Sequence, residues 1–587
     1  MPTVTFDHAT LRMLQAKHGV EHNRLLWEDS LSDIGCVVEK SDSTEIEIEV
    51  FPDRSDLLSP ETMAHAARAF LHRNGAQPDL DTVDGAVVMT VDASLEHIRP
   101  FIYGAIVRDV DTGSSDEEQD AFIQALMDHQ EKLHFSLGRR RRRASIGVHD
   151  LSQLIPPFRV ISVPDTYSFI PLAMSERMSI REILQEHPKG VDYAHLLDGF
   201  TEFPVILDAA DRVLSFPPII NGDHTTVTEN TRDFFIDVTG WDQRACESSL
   251  LLVCLAFAAR GGVVETIELT DYSGHTFRTP NGKARRLSLP KRLLGEILGR
   301  EFTRSEISDA IDRMGGRFIQ ERTVTDGPRE ATRMADAAVG EMEYIIEMPR
   351  WRADILHPVD IVEEIATGIG YEGLGSGLSS QSSAGVPLGI SHLHRRIRES
   401  LQANGLQQVT SLTLSNEGDQ FEKIRLTPPT EVTHIHNPIT IDHTIMRQSI
   451  LPSLLNLLSA NRHHELPQRV YELGTVVRNH HNAERVGWVC AEVGGGFTAA
   501  KGIAQALLRD LGANSRDIGV GFEAMPEGET GPYLAGRAAK VLVAGEWVGC
   551  FGEIDPSVSE SFGLKVPIQA GEFDVGALAS LIPDPVL

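Results

Sequence analysis

The stretch Trp351-Arg-Ala-Asp-Ile-Leu-His-Pro-Val-Asp-Ile-Val-Glu-Glu364 carries more structural information than any other in the chain. Pro358 suits the first position of a helix. Ile361, Ile365 and Ile369 then recur at i, i+4 and i+8, an apolar stripe that marks a buried face. On that helix Asp360 precedes Glu363 by three residues and Glu364 by four, spacings that gather carboxylates on one side. Asp354, just ahead of the helix, can fold back toward them. Four carboxylates so placed repel one another, and a hard divalent cation such as Mg²⁺ relieves the repulsion because it prefers oxygen ligands. The plainer reading is that acids near a helix N-terminus complement its dipole.

Just upstream, Thr303-x-x-Glu306 is a capping box that opens another helix, and Gly315 suits its end. Residues 269–372 read as one small unit that carries the acidic helix. Downstream, 373–389 (GLGSGLSSQSSAGVPLG) is rich in Gly and Ser and reads as a linker. Beyond it Leu393, Ile397 and Leu401 mark a helix that Asn404-Gly405 closes, so a further domain is expected over 390–587.

Toward the N-terminus, 91–268 mixes short strands with helices. Phe203-Pro-Val-Ile-Leu-Asp208 reads as a strand, and Leu214-Ser-Phe-Pro-Pro-Ile-Ile-Asn-Gly-Asp223 as a strand running into a turn. Asp233-Phe-Phe-Ile-Asp-Val-Thr-Gly240 reads as another strand, followed by an apolar helix over 244–260. Residues 1–90 open on the strand-like Pro2-Thr-Val-Thr-Phe6. Glu45-Ile-Glu-Ile-Glu-Val-Phe51 alternates strictly, as a half-buried strand does. The turn Pro52-Asp-Arg-Ser-Asp56 leads to a helix with Ser59 as cap and Pro60 at its first position. The expected fold class is α+β, multidomain.

A length of 587 residues agrees with about three to five domains. The chain holds 54 basic and 84 acidic residues, a net charge of −30. That balance excludes a protein that holds nucleic acid by its overall field, so any RNA contact must use local patches. The run Arg139-Arg-Arg-Arg-Arg143 is one such patch, open to RNA phosphates, to an acidic partner surface or to solvent alone. It continues into the strand-like Ala144-Ser-Ile-Gly-Val148, so part of it is held on structure. A second basic cluster runs from Lys283 to Arg292.

The five cysteines form no CxxC pair, which suggests neither a zinc ribbon nor a disulfide framework and makes a reduced cytoplasm the simplest setting. No membrane segment is expected. The N-terminus lacks an apolar signal core, and the run Leu250 to Ala259, about ten residues, is too short for a bilayer and reads as a buried helix. Gly494-Gly-Gly-Phe-Thr-Ala-Ala-Lys-Gly502 lacks the Gly-Lys-Ser/Thr ending of a phosphate loop and reads as a turn opening a helix. His463-His464 and His480-His481 are adjacent pairs whose side chains point apart, a poor arrangement for chelation.

Several segments together resemble the beta subunit of phenylalanine–tRNA ligase in its archaeal/eukaryotic form. They are the N-terminal MPTV, FPDRSDLLSPE, LHFSLGRRRRRASIGVHDL, LSFPPIINGDHT with FFIDVTGWD, WRADILHPVDIVEEIA, MRQSILPSLLNLL, VYELGTVV and GRAAKVLVAGEWVGCFGEIDP. They follow the family's order and cover nearly the whole chain. The resemblance implies an N-terminal α+β domain over 1–90, an editing domain over 91–268 and a small metal- and tRNA-binding domain over 269–372. After the linker, 390–587 would be like the catalytic domain of a class II aminoacyl-tRNA synthetase, an antiparallel sheet with helices, but without its chemistry. Tyr471-Glu-Leu-Gly474 resembles a relic of the second class II motif, and the glycine-rich third motif that grips ATP is missing.

The same resemblance implies that a separate alpha subunit binds ATP and phenylalanine, within a cytoplasmic tetramer of two alpha and two beta subunits acting on tRNA. The family's Mg²⁺ positions fall on Asp354, Asp360, Glu363 and Glu364. Its editing pocket, which hydrolyses tyrosine wrongly attached to the tRNA, carries over to Ser215, Asn221, Asp237 and Thr239, with Asp237 expected to meet the tyrosine hydroxyl. The physical need is plain, because a hydrophobic pocket rejects an added hydroxyl by only about a hundredfold. The alternative is a non-catalytic scaffold and tRNA-binding subunit with an inactive pocket. A third possibility is a free-standing tRNA-ester hydrolase.

Overall fold

The computed structural model describes residues 2–582 apart from 75–76, 332, 376–383 and 514–517. The linker expected over 373–389 therefore lies partly outside the described residues. The chain divides into two compact units, Met1–Leu378 and Ser379–Leu587.

The acidic helix of the first unit spans Pro358–Ile369, with His357 as its cap. Ile361 and Ile365 are fully buried, and Ile369 packs beside them against Leu293, Ile307, Ile311 and Ile346. The apolar stripe thus does what its period requires. The helix Arg304–Arg313 opens on the Thr303/Glu306 capping box. Both helices lie against a sheet ordered Arg285–Pro290, Met342–Met348, Arg317–Thr323. At the N-terminus, Glu45–Val50 is the central strand of a second sheet, with Ile46, Ile48 and Val50 all buried. The helix Pro60–Phe70 starts on the Ser59 cap.

The large sheet of this unit sets up the cavity discussed below. Its strand path runs Ile220–Asn221, Val213–Phe216, Glu202–Leu207, Phe158–Pro164, Val83–Val91, Val263–Thr270, Phe101–Arg108, Phe234–Gly240, Ala144–Asp150. Val83–Val91 is parallel to both neighbours, and the other pairings along the path are antiparallel. The two ends of that path nevertheless touch. Asn221 Nδ2 donates to Val148 O at 3.5 Å, and His149 Nδ1 lies 2.8 Å from Thr225 Oγ1. The sheet therefore curls on itself, as strongly twisted sheets do, and a seam forms where its ends meet. The helix Gln243–Ala259, buried on nearly every side, backs the strands Phe101–Arg108 and Phe234–Gly240. The 20-residue helix Asp116–Phe135 packs Phe122, Leu126 and Leu133 into the same core.

The second unit is built on a sheet ordered Gln407–Gln408, Gln468–Arg478, His481–Ala491, Ile568–Asp574, Glu546–Ile554, Tyr533–Val543, Val520–Ala524. Its pairings are antiparallel apart from the edge strand Gln407–Gln408. Side chains alternate across the pleat. Val486, Trp488 and Cys490 join the helices Gly389–Ala403 and Phe497–Asp510 on one face. Val489 and Ala491 join Leu451–Ala460 on the other. The glycine run 494–496 is the turn that opens Phe497–Asp510. Among the described residues no helix is long and apolar enough to cross a membrane.

Candidate functional site

A cavity of about 340 Å³ opens at the seam of the curled sheet. One wall comes from Ser145–Val148 and Asp237, the other from Ser215, Asn221 and the Pro217–Ile220 turn. Ile123, Leu126, Met127, Ile146 and Val227 make much of the rest apolar. A largely apolar cleft with a few convergent polar groups is the usual form of a small-ligand site.

Asp237 sits on the strand Phe234–Gly240, paired on both sides, with its carboxylate almost wholly buried. Its Oδ2 lies 2.7 Å from His149 Nε2 on the neighbouring strand, and His149 Nδ1 in turn meets Thr225 Oγ1, whose hydroxyl reaches Gly222 O at 3.0 Å. This chain fixes the carboxylate through Oδ2; among the described residues Oδ1 has no hydrogen-bond partner, and Asp237 lines the cavity. Gly147 makes the approach possible, since a Cβ there would fall on the Asp237 carboxylate. Ser215 Oγ donates to Asn221 Oδ1 at 3.2 Å, so these two polar groups act as one.

Thr239 is placed differently from the other three expected pocket residues. It is fully buried behind the cavity wall, where its hydroxyl accepts from Arg99 Nε at 2.8 Å and lies 3.1 Å from Ser145 Oγ. Arg99 also donates to Thr239 O and Arg141 O. Burial pulls its guanidinium down to about 10, with Cys246 and Asp237 acting the other way. Thr239 thus holds a buried cation near Asp237 rather than lining the cavity.

A second cluster closes the wall beside the arginine run. His134 Nε2 accepts from Ile146 N–H at 2.8 Å, so its Nδ1 carries the proton given to Glu131 Oε1 at 3.1 Å. Arg141 donates to the same carboxylate oxygen at 2.6 Å and to the carbonyls of Pro218 and Ile219. The bond from His134, with Arg141 beside it, holds the Glu131 carboxyl down to about 2. Spacing gives no hint of His149, Thr225 or Arg99, which reach Asp237 and Thr239 through contacts distant in the chain.

Of the four expected carboxylates, Asp360, Glu363 and Glu364 lie on the acidic helix and Asp354 lies just ahead of it. Arg352 lies between two of them. Its Nε and Nη2 donate to Asp354 at 2.9 and 2.6 Å, and its Nη1 and Nη2 donate to Glu364 at 2.9 and 2.6 Å. Burial alone would lower the Arg352 pKa, but Asp354, Glu364 and Asp56 together raise it well above the ordinary value. Asp360 turns back to accept from Leu356 N and His357 N at 2.6 and 2.7 Å, completing the helix cap. Glu363 is exposed, and its pKa is raised by desolvation, then by Glu364, Asp53, Asp360 and Asp354. Among the described residues no three His, Cys, Asp or Glu side chains stand close enough to hold a metal ion. The four carboxylates thus form an arginine-bridged pair, a helix cap and one exposed carboxylate.

The turn Pro52–Asp56 contributes to the same cluster. Arg54 is buried and makes a fork to Asp56, 2.8 Å from each nitrogen, and also donates to Ile34 O. Burial pushes the Asp56 carboxyl up, but Arg54 and then Arg352 more than offset it and hold it down to about 2. Two segments some 300 residues apart in sequence, FPDRSD and WRAD, thus share one buried ion network.

Comparison with known proteins places these features in a class. A family model described as the phenylalanyl tRNA synthetase beta chain CLM domain matches residues 378–575. The B3/4 domain matches 98–251, which contains the cavity, and the tRNA synthetase B5 domain matches 287–371, which contains the acidic helix. These matches define a subunit of an aminoacyl-tRNA synthetase, a ligase. The chain is 36% identical to the phenylalanine–tRNA ligase beta subunit of Methanosarcina barkeri, over 98% of this chain and 99% of that one. It is 34% identical to the corresponding subunit of Archaeoglobus fulgidus, over 98% of each. The solved N-terminal fragment of the phenylalanyl-tRNA synthetase beta-subunit from Pyrococcus horikoshii is 26% identical. That fragment superimposes with a TM-score of 0.54 over 63% of this chain and 100% of its own. The chain belongs to the phenylalanine–tRNA ligase beta-subunit family.

Proposed function

We propose that this chain works with a separate alpha subunit that activates phenylalanine with ATP, in a cytoplasmic tetramer of two alpha and two beta chains. Its own tasks would be to bind tRNA and to hydrolyse tyrosine mis-attached to it. The division into 1–90, 91–268, 269–372 and 390–587 follows the same reading, and the family matches at 98–251, 287–371 and 378–575 support it.

The C-terminal domain would be a class II synthetase-like fold without its chemistry. Its antiparallel sheet with one parallel edge strand supports that reading. So does the internal use of its buried charges. Arg447, from MRQS, donates to Glu472, from YELG, at 2.7 Å, with Ser411 bridging them. Glu572 accepts from Ser449 Oγ and from the Ile450 and Leu451 N–H groups. An arginine neutralised in this way has no fork left for a triphosphate. A lost active site of this size is kept most simply as an interface with the alpha subunit.

The observation that carries the editing assignment is the buried Asp237 carboxylate, held by His149 on one oxygen and unpartnered on the other, at the edge of an otherwise apolar cavity. A tyrosine side chain would lie against the apolar wall and give its phenol proton to Oδ1. Phenylalanine in the same place would leave that oxygen buried and unpaired, which is the arrangement that discriminates most strongly. Ser215 and Asn221 would orient the attacking water at the ester carbonyl. The assembled alpha–beta complex is expected to hydrolyse Tyr-tRNA about 10⁴-fold faster than Phe-tRNA. Equal rates on both, or none on either, would leave the scaffold reading.

Mg²⁺ ordinarily keeps several waters and takes one or two carboxylates, and Glu363 with Asp360 or Asp53 nearby fits that mode better than a four-carboxylate cage. The bound ion would neutralise a carboxylate that its neighbours now destabilise. With Mg²⁺ at roughly five times its dissociation constant, the first unit gains about 1 kcal/mol of stability. Glu363→Gln removes that gain and melts above the unaltered chain in Mg²⁺-free buffer. Identical melting with and without Mg²⁺ would contradict this site.

A further inference from the structure

We infer that the arginine turn 139–143 and the exposed C-terminal end of the helix Asp116–Phe135 form a track for the unpaired 3′ end of an RNA on its way into the cavity. This rests on reading the cavity as a hydrolytic site for charged tRNA. The turn is anchored at the cavity wall. Arg141 lines the cavity, is 8% exposed, bonds Glu131, Pro218 O and Ile219 O, and stacks on Tyr193 with its guanidinium 4.4 Å from the ring. Arg143 holds the other end of the turn, its carbonyl accepting from Trp241 N and Asp242 N.

Between and around these anchors, Arg139, Arg140 and Arg142 are exposed. Among the described residues none of the three has an acidic partner. In a chain of net charge −30, three unpaired guanidinium groups within four residues stand against the field of the whole molecule. Arg139, Arg140 and Arg141 all have positive φ, of 46°, 54° and 65°. Residues with side chains rarely adopt that conformation, and a run of three is held only where surrounding contacts impose it.

The aromatic component comes from the helix. Met127, Glu131 and Phe135 recur at i, i+4 and i+8, so they share one face. The first two line the cavity. Phe135 is 58% exposed, and the Arg140 guanidinium lies 5.6 Å from its ring centre. An exposed aromatic ring among unpaired arginines, leading away from a cavity, is the pattern that binds single-stranded nucleic acid, with bases stacked on the ring and phosphates on the guanidinium groups. An acidic protein surface would use the charges but not the ring.

The test uses the full chain and a fluorescent RNA hairpin with the acceptor-stem sequence and its unpaired 3′ tail, beside the same hairpin without the tail. The unaltered chain is expected to prefer the tailed hairpin by about tenfold or more. The triple variant R139Q/R140Q/R142Q should weaken that complex by about tenfold at 0.1 M salt and lower the slope of log affinity against log salt by about 2. Phe135→Ala should reduce the tail preference with the slope unchanged. Unchanged affinity and slope in the triple variant overturns the track, as does equal loss for both hairpins. Loss of a protein partner in sedimentation with RNA affinity intact also overturns it, by assigning the patch to protein. If the unaltered complex hydrolyses no Tyr-tRNA while the tail-specific losses appear, the track stands and the hydrolytic reading falls.

Discussion

Replacing Asp237 by alanine lowers kcat/KM for Tyr-tRNA hydrolysis by about 10²–10³, or roughly 3–4 kcal/mol of transition-state stabilisation. The effect should be large because the carboxylate is 1% exposed and cannot be replaced by solvent without rearranging the wall. The loss should also be selective. Without Oδ1 the cavity becomes an apolar slot, and such a slot disfavours the added hydroxyl, by at most about a hundredfold, so the preference for tyrosine is lost. Asp237→Asn keeps the shape and one acceptor oxygen and should retain more activity than alanine. His149 loses its Oδ2 partner in the alanine variant, so the melting temperature must be measured beside the rate. Unchanged Tyr-tRNA hydrolysis in a folded Asp237→Ala complex would remove Asp237 from the site.

Arg352→Ala is the second large effect, and it acts on stability. The side chain is 3% exposed and neutralises Asp354 and Glu364, whose side chains are 14% and 7% exposed. Removing one partner of a buried ion pair costs about 3–5 kcal/mol, because the other charge stays buried and unpaired. Here one arginine serves two carboxylates, and Asp56 also faces it, so the upper part of that range applies. The double variant Arg352→Met/Glu364→Gln should recover more than half of the loss, since it no longer strands the more buried carboxylate. Urea unfolding followed within the first unit measures both. A cost below about 1 kcal/mol for Arg352→Ala would mean that water, not Arg352, stabilises the carboxylates.

The elements that sequence could reach were those whose signals are local. The stripe Ile361, Ile365, Ile369, the Ser59 and Thr303 caps and the alternation Glu45–Val50 each depend on contacts within a few residues, and each formed where its period put it. The sites depend on contacts far apart in the chain. Helical spacing counts the carboxylates correctly but is blind to Arg352, which folds between Asp354 and Glu364, and to Asp360 turning back on its own cap. Spacing therefore could not show how these acids are partnered within the chain. The basic run reads in sequence as a single patch. The structure separates it into Arg141, buried in a wall, Arg143, half-buried beside Asp242, and three exposed neighbours. His149 and Asp237 meet because their strands are adjacent in register, Phe235 facing His149 and Asp237 facing Gly147. No sequence spacing encodes that.

The central claim is that this ligase subunit lacks the activating site while its partner holds it. Phenylalanine-dependent ATP–pyrophosphate exchange by the isolated chain, compared with the chain mixed with its alpha subunit, tests that claim most directly. The account predicts no exchange above background for the isolated chain and full exchange for the mixture, since Arg447 is already neutralised by Glu472. Exchange by the isolated chain, at any rate comparable to the mixture, would contradict it.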